Sequence, residues 1–226
     1  MAFSSPLDSP GRYQALILDF VGVLTEGVRE ALQGWCLDQG LHERAWGTTL
    51  NQHPEGRRLY LALEAGRLTQ QEWNRRTAPL LGIDDHENLM GRAWSKVRPA
   101  QDMIELAHAA RRAGLRTALL SNSFGLDPYD PYRTLGVSGL CEVTVLSEVE
   151  GVAKPDLEIY QRTLERLGVP GEKCLFVDDN PANLPPAHAL GITTVLADGR
   201  PGLATHIREL LGIHDRVEES RTSPLR

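Results

Sequence analysis

The sequence predicts an α/β fold, a parallel-sheet core interrupted early by a helical insertion, and three observations point to it. Short apolar runs of strand length recur along the 226 residues. Segments with helical periodicity lie between them, and one long stretch near the N-terminus shows helical patterns alone. Strands that alternate with helices pair in parallel, because parallel neighbours need a crossover connection and the usual crossover is a helix.

Taken in order, the first run is residues 13–18 (YQALIL), which reads as a buried strand. From about residue 26 to residue 98 there are helical patterns separated by turn signals such as His53-Pro54, Gly66 and Gly82, and no convincing strand. All four tryptophans, Trp35, Trp46, Trp73 and Trp94, fall inside this insertion and read as its apolar core. Strands resume at 115–120 (LRTALL), 143–146, 174–177 (CLFV) and 192–196, with helices over 155–167 and 205–211. Residues 1–25 and 99–226 thus form a discontinuous core around the insertion at 26–98. The ends, 1–11 and 215–226, are Ser/Pro-rich or polar and are expected to be flexible.

With 41% hydrophobic residues the chain can bury a sizeable core. A formal charge of -6 argues against a nucleic-acid-binding surface and a basic membrane-binding face, leaving small soluble partners as the expectation. Cys36, Cys141 and Cys174 match neither an even disulfide set nor a metal spacing, so free thiols are expected. The opening MAFSSPLDSPGR holds no apolar run of signal-peptide length, and no stretch is long and uncharged enough to span a bilayer. A cytoplasmic protein, monomeric or homodimeric, is expected.

Ligands of open parallel sheets bind beyond the carboxyl ends of the strands. The first run ends in Asp19, the second in Ser121-Asn122-Ser123, and a later one in Asp178-Asp179-Asn180, with Lys154-Pro155-Asp156 at an expected helix start. An Asp after a strand is usually a turn or cap residue, and a lone Lys is usually solvated. The set makes more sense together. Three carboxylates would repel unless a cation balanced them, which suits a Mg²⁺ site beside a phosphate, since oxygen ligands favour Mg²⁺ over Zn²⁺.

DFVGVLT at 19–25, LLSNS at 119–123, AKPD at 153–156 and FVDDNPAN at 176–183 resemble, in order and spacing, motifs one to four of the haloacid dehalogenase superfamily. The resemblance spans roughly residues 15–211. It implies a Rossmann-like core with an inserted α-helical cap, and segments 63–73 (LEAGRLTQQEW) and 154–167 look like the branch of epoxide-hydrolase N-terminal-type phosphatases. By position it implies Asp19 as the phosphate-attacking nucleophile and Ser121 and Asn122 as phosphoryl holders. Lys154 would be the balancing charge, and Asp19, Asp178, Asp179 and the Val21 backbone carbonyl the Mg²⁺ ligands. The implied partner is a small phosphorylated metabolite. Asn183 reads as a plain N-cap and His188 as packed or surface, without a role.

One departure matters. Hydrolytic members of the family usually carry a second Asp two residues after the nucleophile, to protonate the leaving oxygen and later activate water. Here it is Val21. Four readings stay open: a Mg²⁺-dependent phosphomonoesterase with an easier leaving group or an acid supplied by cap or substrate; a 2-haloacid dehalogenase, against which the Asp178-Asp179 pair argues; a phosphonate-cleaving enzyme, which would need a cap lysine where only Lys96 stands; and a weakened, non-hydrolytic protein that binds a phosphorylated ligand or serves a biosynthetic step. Arg57, Arg58, Arg75 and Arg76 lie in the segment expected to choose the substrate.

Overall fold

The computed structural model describes residues 12–213; both segments expected to be flexible ends lie outside the described residues. Five parallel strands form the sheet: β1 (Ala15–Leu18), β4 (Arg116–Ser121), β5 (Val143–Leu146), β6 (Cys174–Asp178) and β7 (Thr193–Leu196). Their order is β5-β4-β1-β6-β7, with β1 at the centre. Each expected strand is present, with ends shifted by at most two residues. A two-residue ribbon absent from the sequence reading, β2 (Thr25–Glu26) against β3 (Arg98–Pro99), ties the two chain crossings of the insertion together.

Both faces of the sheet are covered, as its uninterrupted apolar strands require. Leu16, Leu18, Leu119 and Val177 pack on one face with α6 (Gln101–Arg112), α11 (Leu203–Leu211) and the insertion. Ala15, Ile17, Leu120 and Phe176 pack on the other with α9 (Leu157–Leu167) and α10 (Leu184–Ala189). The α9 helix begins later than expected. Asp156 is its N-cap, accepting from the Glu158 N–H, so Pro155 precedes the helix rather than sitting in its first turn.

The insertion folds as α1 (Val28–Asp38), α2 (Ala45–Asn51), α3 (Pro54–Glu64), α4 (Gln70–Thr77), a short 3₁₀ turn and α5 (Leu89–Trp94). The helix starts follow their caps: His53 accepts from Gly56 N and is followed by Pro54, and Thr69 accepts from Glu72 N. Trp35, Trp46 and Trp73 form an edge-packed chain, with ring centroids 5.4 and 5.8 Å apart, inside the insertion. Trp94 does something else: it lies 4.8 Å from Phe124 and 6.2 Å from Phe20, both in the core, and so joins insertion to sheet. The three cysteines are buried free thiols.

Two short core helices, α7 (Pro131–Thr134) and α8 (Ser147–Glu150), sit near the carboxyl ends of β4 and β5.

Candidate active site

Register alone brings the first carboxylates together. Leu18 pairs with Val177 and Leu119, so the next step along β1 sets Asp19 level with Asp178 on β6 and with Leu120 on β4. Adjacent strands are about 4.8 Å apart, so side chains at matched positions are neighbours. Asp19 is anchored by its N–H to the Val177 carbonyl, 2.9 Å away.

Lys154 lies between the two acids. Its Nζ is 2.7 Å from Asp19 Oδ1 and 2.6 Å from Asp178 Oδ2, and donates a third bond to the Leu120 carbonyl at 3.0 Å. The ammonium is thus saturated by three oxygens although the residue is only 4% exposed. Burial alone would lower its pKa, but the charges of Asp19 and Asp178 reverse that and hold it above the ordinary lysine range. Asp19 itself is pushed up to about 7 by burial, which outweighs the pull of Lys154, with repulsion from Asp178 adding to it.

The loop carrying Lys154 is held by Asn122. Its Oδ1 accepts from the Lys154 N–H at 2.8 Å and its Nδ2 donates to the Lys154 carbonyl at 3.0 Å, so one side chain fixes both main-chain groups. The Asn122 side chain is thereby engaged, and only its main chain is left for the phosphate contact that the sequence led one to expect. Ser121 is fully buried, and its Oγ accepts from the Tyr132 hydroxyl at 2.9 Å.

Asn183 corrects the sequence reading. It precedes α10 but its side chain makes no cap. Instead its Nδ2 donates to both carboxylate oxygens of Asp178, at 3.0 and 3.1 Å, and the Asn180 N–H adds a bond of 2.8 Å. A fully buried carboxylate is thereby given partners on every side, as its desolvation demands. His188 is exposed.

Asp19, Asp178 and Asp179 each offer a carboxylate oxygen, and these atoms lie within 4.8 Å of one another. Asp179 reaches this position because Gly22 lacks a side chain: a Cβ there would stand 2.4 Å from Asp179 Oδ2, and Gly22 also has φ +72°. The donors are all hard oxygens, they converge, and a small residue makes room for one of them. They fit a magnesium-type cation.

The insertion's basic residues lie elsewhere. Arg58 and Arg76 bind Glu55, Arg75 binds Glu72, Arg57 is exposed, and Lys96 pairs with Asp38 at 2.6 Å on the surface. What the sequence reading missed are Tyr132 on Ser121 and Gln70 docking the insertion. Gln70 Nε2 donates to the carbonyls of Phe124 and Tyr129, at 3.0 and 3.1 Å, while its Oε1 accepts from Tyr129 N at 2.9 Å.

The profile of the family described as haloacid dehalogenase-like hydrolase matches residues 13–191. A phosphatase of Mycobacterium tuberculosis is 34% identical over 39% of this chain and 42% of its own length. The mouse bifunctional epoxide hydrolase 2 is 26% identical over 73% of this chain and 32% of its own. The chain spans less than half the length of either curated relative. Among solved structures, an enzyme of this family from Bacteroides thetaiotaomicron, crystallised with magnesium and inorganic phosphate, aligns with a TM-score of 0.63 at 24% identity over 81% of this chain and 93% of its own. An L-2-haloacid dehalogenase from Xanthobacter autotrophicus aligns with a TM-score of 0.61 at 20% identity over 90% and 85%. At those identities the two structures speak for the fold. The profile match covers most of the sequence, and the chain belongs to the haloacid dehalogenase-like hydrolase family.

Proposed function

We propose that this protein is a Mg²⁺-dependent phosphomonoesterase acting on a small organophosphate through an aspartyl phosphate on Asp19. The observation that carries the reading is the convergence of Asp19, Asp178 and Asp179 around one point, with Lys154 held against the first two. An idle site would be free to lose such costly clustered charge. The phosphatase among the relatives points the same way.

In this reading the Asp19 carboxylate attacks phosphorus and the bond to the leaving oxygen breaks, turning one hard hydrolysis into two displacements. Lys154 offsets charge on nucleophile and phosphoryl group, and Ser121 with the Asn122 main chain orients the phosphoryl oxygens. Magnesium, held by Asp19, Asp178, Asp179 and the Val21 carbonyl, would supply positive charge that favours the ionised nucleophile. Residues 26–98 act as a cap. Asp19 is only 6% exposed with the insertion docked, so substrate entry requires the cap to part from the strand ends, and its return excludes water.

Val21 favours a second reading, a weakened protein that binds a phosphorylated ligand without turning it over. A screen of aryl, sugar and acyl phosphates with Mg²⁺, with halide release measured in parallel, separates the two. Wild type should release phosphate and lose it on chelation, and Asp19→Asn should lower kcat by about 10⁴-fold. Phosphate release only in Val21→Asp would establish the weakened scaffold, and metal-independent halide release would establish dehalogenation.

A further inference from the structure

Ser121 closes β4 with a hydroxyl that is only half used. The side chain is fully buried, and its Oγ accepts from the Tyr132 hydroxyl at 2.9 Å, while its own hydrogen meets no acceptor among the described residues. Buried polar groups are seldom left so, because the lost bond to water is not replaced. The other donors at this sheet edge are engaged: the Lys154 ammonium by three oxygens, and the Asn122 amide by the Lys154 carbonyl. Register sets Leu120 level with Asp19, so Ser121 lies one residue beyond the nucleophile on the adjacent strand. Its spare hydrogen is therefore at the edge where a phosphoryl group on Asp19 would bring acceptor oxygens.

Tyr132, in α7, decides how that hydroxyl is set. A phenol is a stronger acid and a weaker acceptor than an aliphatic alcohol, because its oxygen shares a lone pair with the ring, so in a Tyr–Ser pair the tyrosine donates. The serine oxygen then faces Tyr132 with a lone pair, and its hydrogen must turn away. Tyr132 is itself held firmly. Its ring lies 4.5 Å from that of Phe20, the residue after Asp19. Asp130 caps the turn that carries it by accepting from the Arg133 N–H, and Gln70 bonds both main-chain groups of Tyr129 just before. The side chain is 5% exposed, so water does not compete for its hydroxyl.

We propose that Tyr132 is a positioning residue for phosphate: by donating to Ser121 Oγ it turns the serine hydrogen toward the phosphoryl oxygens of a monoester, or of inorganic phosphate, bound at Asp19. This rests on the phosphatase reading, which places a phosphoryl group there. Tyr132 does not touch the ligand and acts through Ser121 alone. The hydroxyl is set before the ligand arrives, so binding need not order it. A hydroxyl that already accepts one bond is also a better donor in the next, because each bond polarises its neighbour. The phosphoryl oxygens are present in the bound substrate, the transition state and the phosphate product, so binding and turnover should both respond.

The test is a double-mutant cycle of Tyr132→Phe and Ser121→Ala in the Mg²⁺-loaded protein, read by calorimetric binding of inorganic phosphate and by kcat/KM on p-nitrophenyl phosphate. Ser121→Ala should weaken phosphate binding about 10- to 100-fold, as expected for losing a hydrogen bond to a charged group. Tyr132→Phe, which keeps the ring against Phe20, should weaken it about 5-fold. The double variant should bind as Ser121→Ala does, because without the serine hydroxyl Tyr132 has nothing to turn, and kcat/KM should follow the same pattern. Losses that multiply in the double variant would make Tyr132 a packing residue and overturn the proposal, as would unchanged phosphate binding in Tyr132→Phe. If Tyr132→Phe fails to fold, fluorotyrosine inserted at that position keeps the hydroxyl and donates more strongly. It should tighten phosphate binding when Ser121 is present and leave Ser121→Ala unchanged; no tightening, or the same change in both, would count against the proposal. Wild type that binds no inorganic phosphate in the presence of Mg²⁺ would instead bring down the phosphatase reading, and this inference with it.

Discussion

Charges at the strand ends and charges on the helical insertion live in opposite solvents. Lys154, Asp19 and Asp178 meet with side chains 1%, 8% and 0% exposed, whereas the pairs Glu55–Arg58, Glu72–Arg75 and Asp38–Lys96 stand in water. A surface pair gains little, since water competes for both partners and the long side chains lose freedom in pairing. A buried pair is costly to form and costlier to break, because removing one member strands the other. Surface pairs can come and go with little consequence, but the buried trio persists only where the fold over-determines it. Here that is done by strand register, by Asn122 on the Lys154 main chain and by Asn183 on Asp178.

The largest effect on stability should follow from breaking the trio. Lys154→Met keeps the stem volume and removes the charge, leaving Asp19 and Asp178 facing each other. A loss of about 3–5 kcal/mol is expected in chemical denaturation of the metal-free protein. A loss under about 1 kcal/mol would mean that the two acids already share protons without help from lysine, and the contrast between the two regions would collapse.

Next is the joint between the regions. Gln70→Ala would leave the carbonyls of Phe124 and Tyr129 and the Tyr129 N–H without their partner in a buried seam, at a cost of about 1–3 kcal/mol. Because the seam holds the insertion on the core, protease cleavage within 26–98 should speed up. Unchanged cleavage would show that Trp94 packed on Phe20 and Phe124 is enough to keep it docked.

Smaller again is a pH effect that couples the regions. Glu64 is held near 7 in the folded protein, against about 4.3 when unfolded. Between those values the folded protein keeps a proton that the unfolded chain has released. The contribution is therefore present in full below about pH 4.3 and is lost as pH rises through 7. Asp19 acts in the same direction. Melting temperature should fall from pH 5 to pH 8, less steeply in Glu64→Gln than in wild type. Parallel slopes would place Glu64 in ordinary solvent.

The sequence made the core legible and the insertion's contribution to the site nearly illegible, for one physical reason. A strand end is a local event: an apolar run stops, and the polar residue that stops it must lie at the sheet's edge, so Asp19, Ser121 and Asp178 could be placed residue by residue. Lys154 was read from an expected helix start, whereas the loop that carries it is held by a side chain 32 positions away. Gln70 carries no local mark. Helical periodicity tells which face is apolar, not what the end of a helix points at, and Gln70 finds its partners more than 50 residues on. Asn183 was misread for a related reason: a residue just before a helix is usually its cap, and only the buried carboxylate on the neighbouring strand changes that preference.

The smallest expected effect belongs to the insertion's surface. Lys96 holds Asp38 at 2.6 Å, with both side chains more than half exposed, so Lys96→Met should change stability by no more than about 1 kcal/mol, an effect that shrinks further in high salt. It should leave phosphate release untouched, since this lysine is paired at the surface rather than held among the buried acids. A large loss of activity would have one explanation consistent with the family: an amine from the insertion that takes part in the reaction. That would revive phosphonate cleavage through a Schiff base. Borohydride trapping of the wild-type protein with a carbonyl substrate checks the same point, and no adduct on Lys96 is expected.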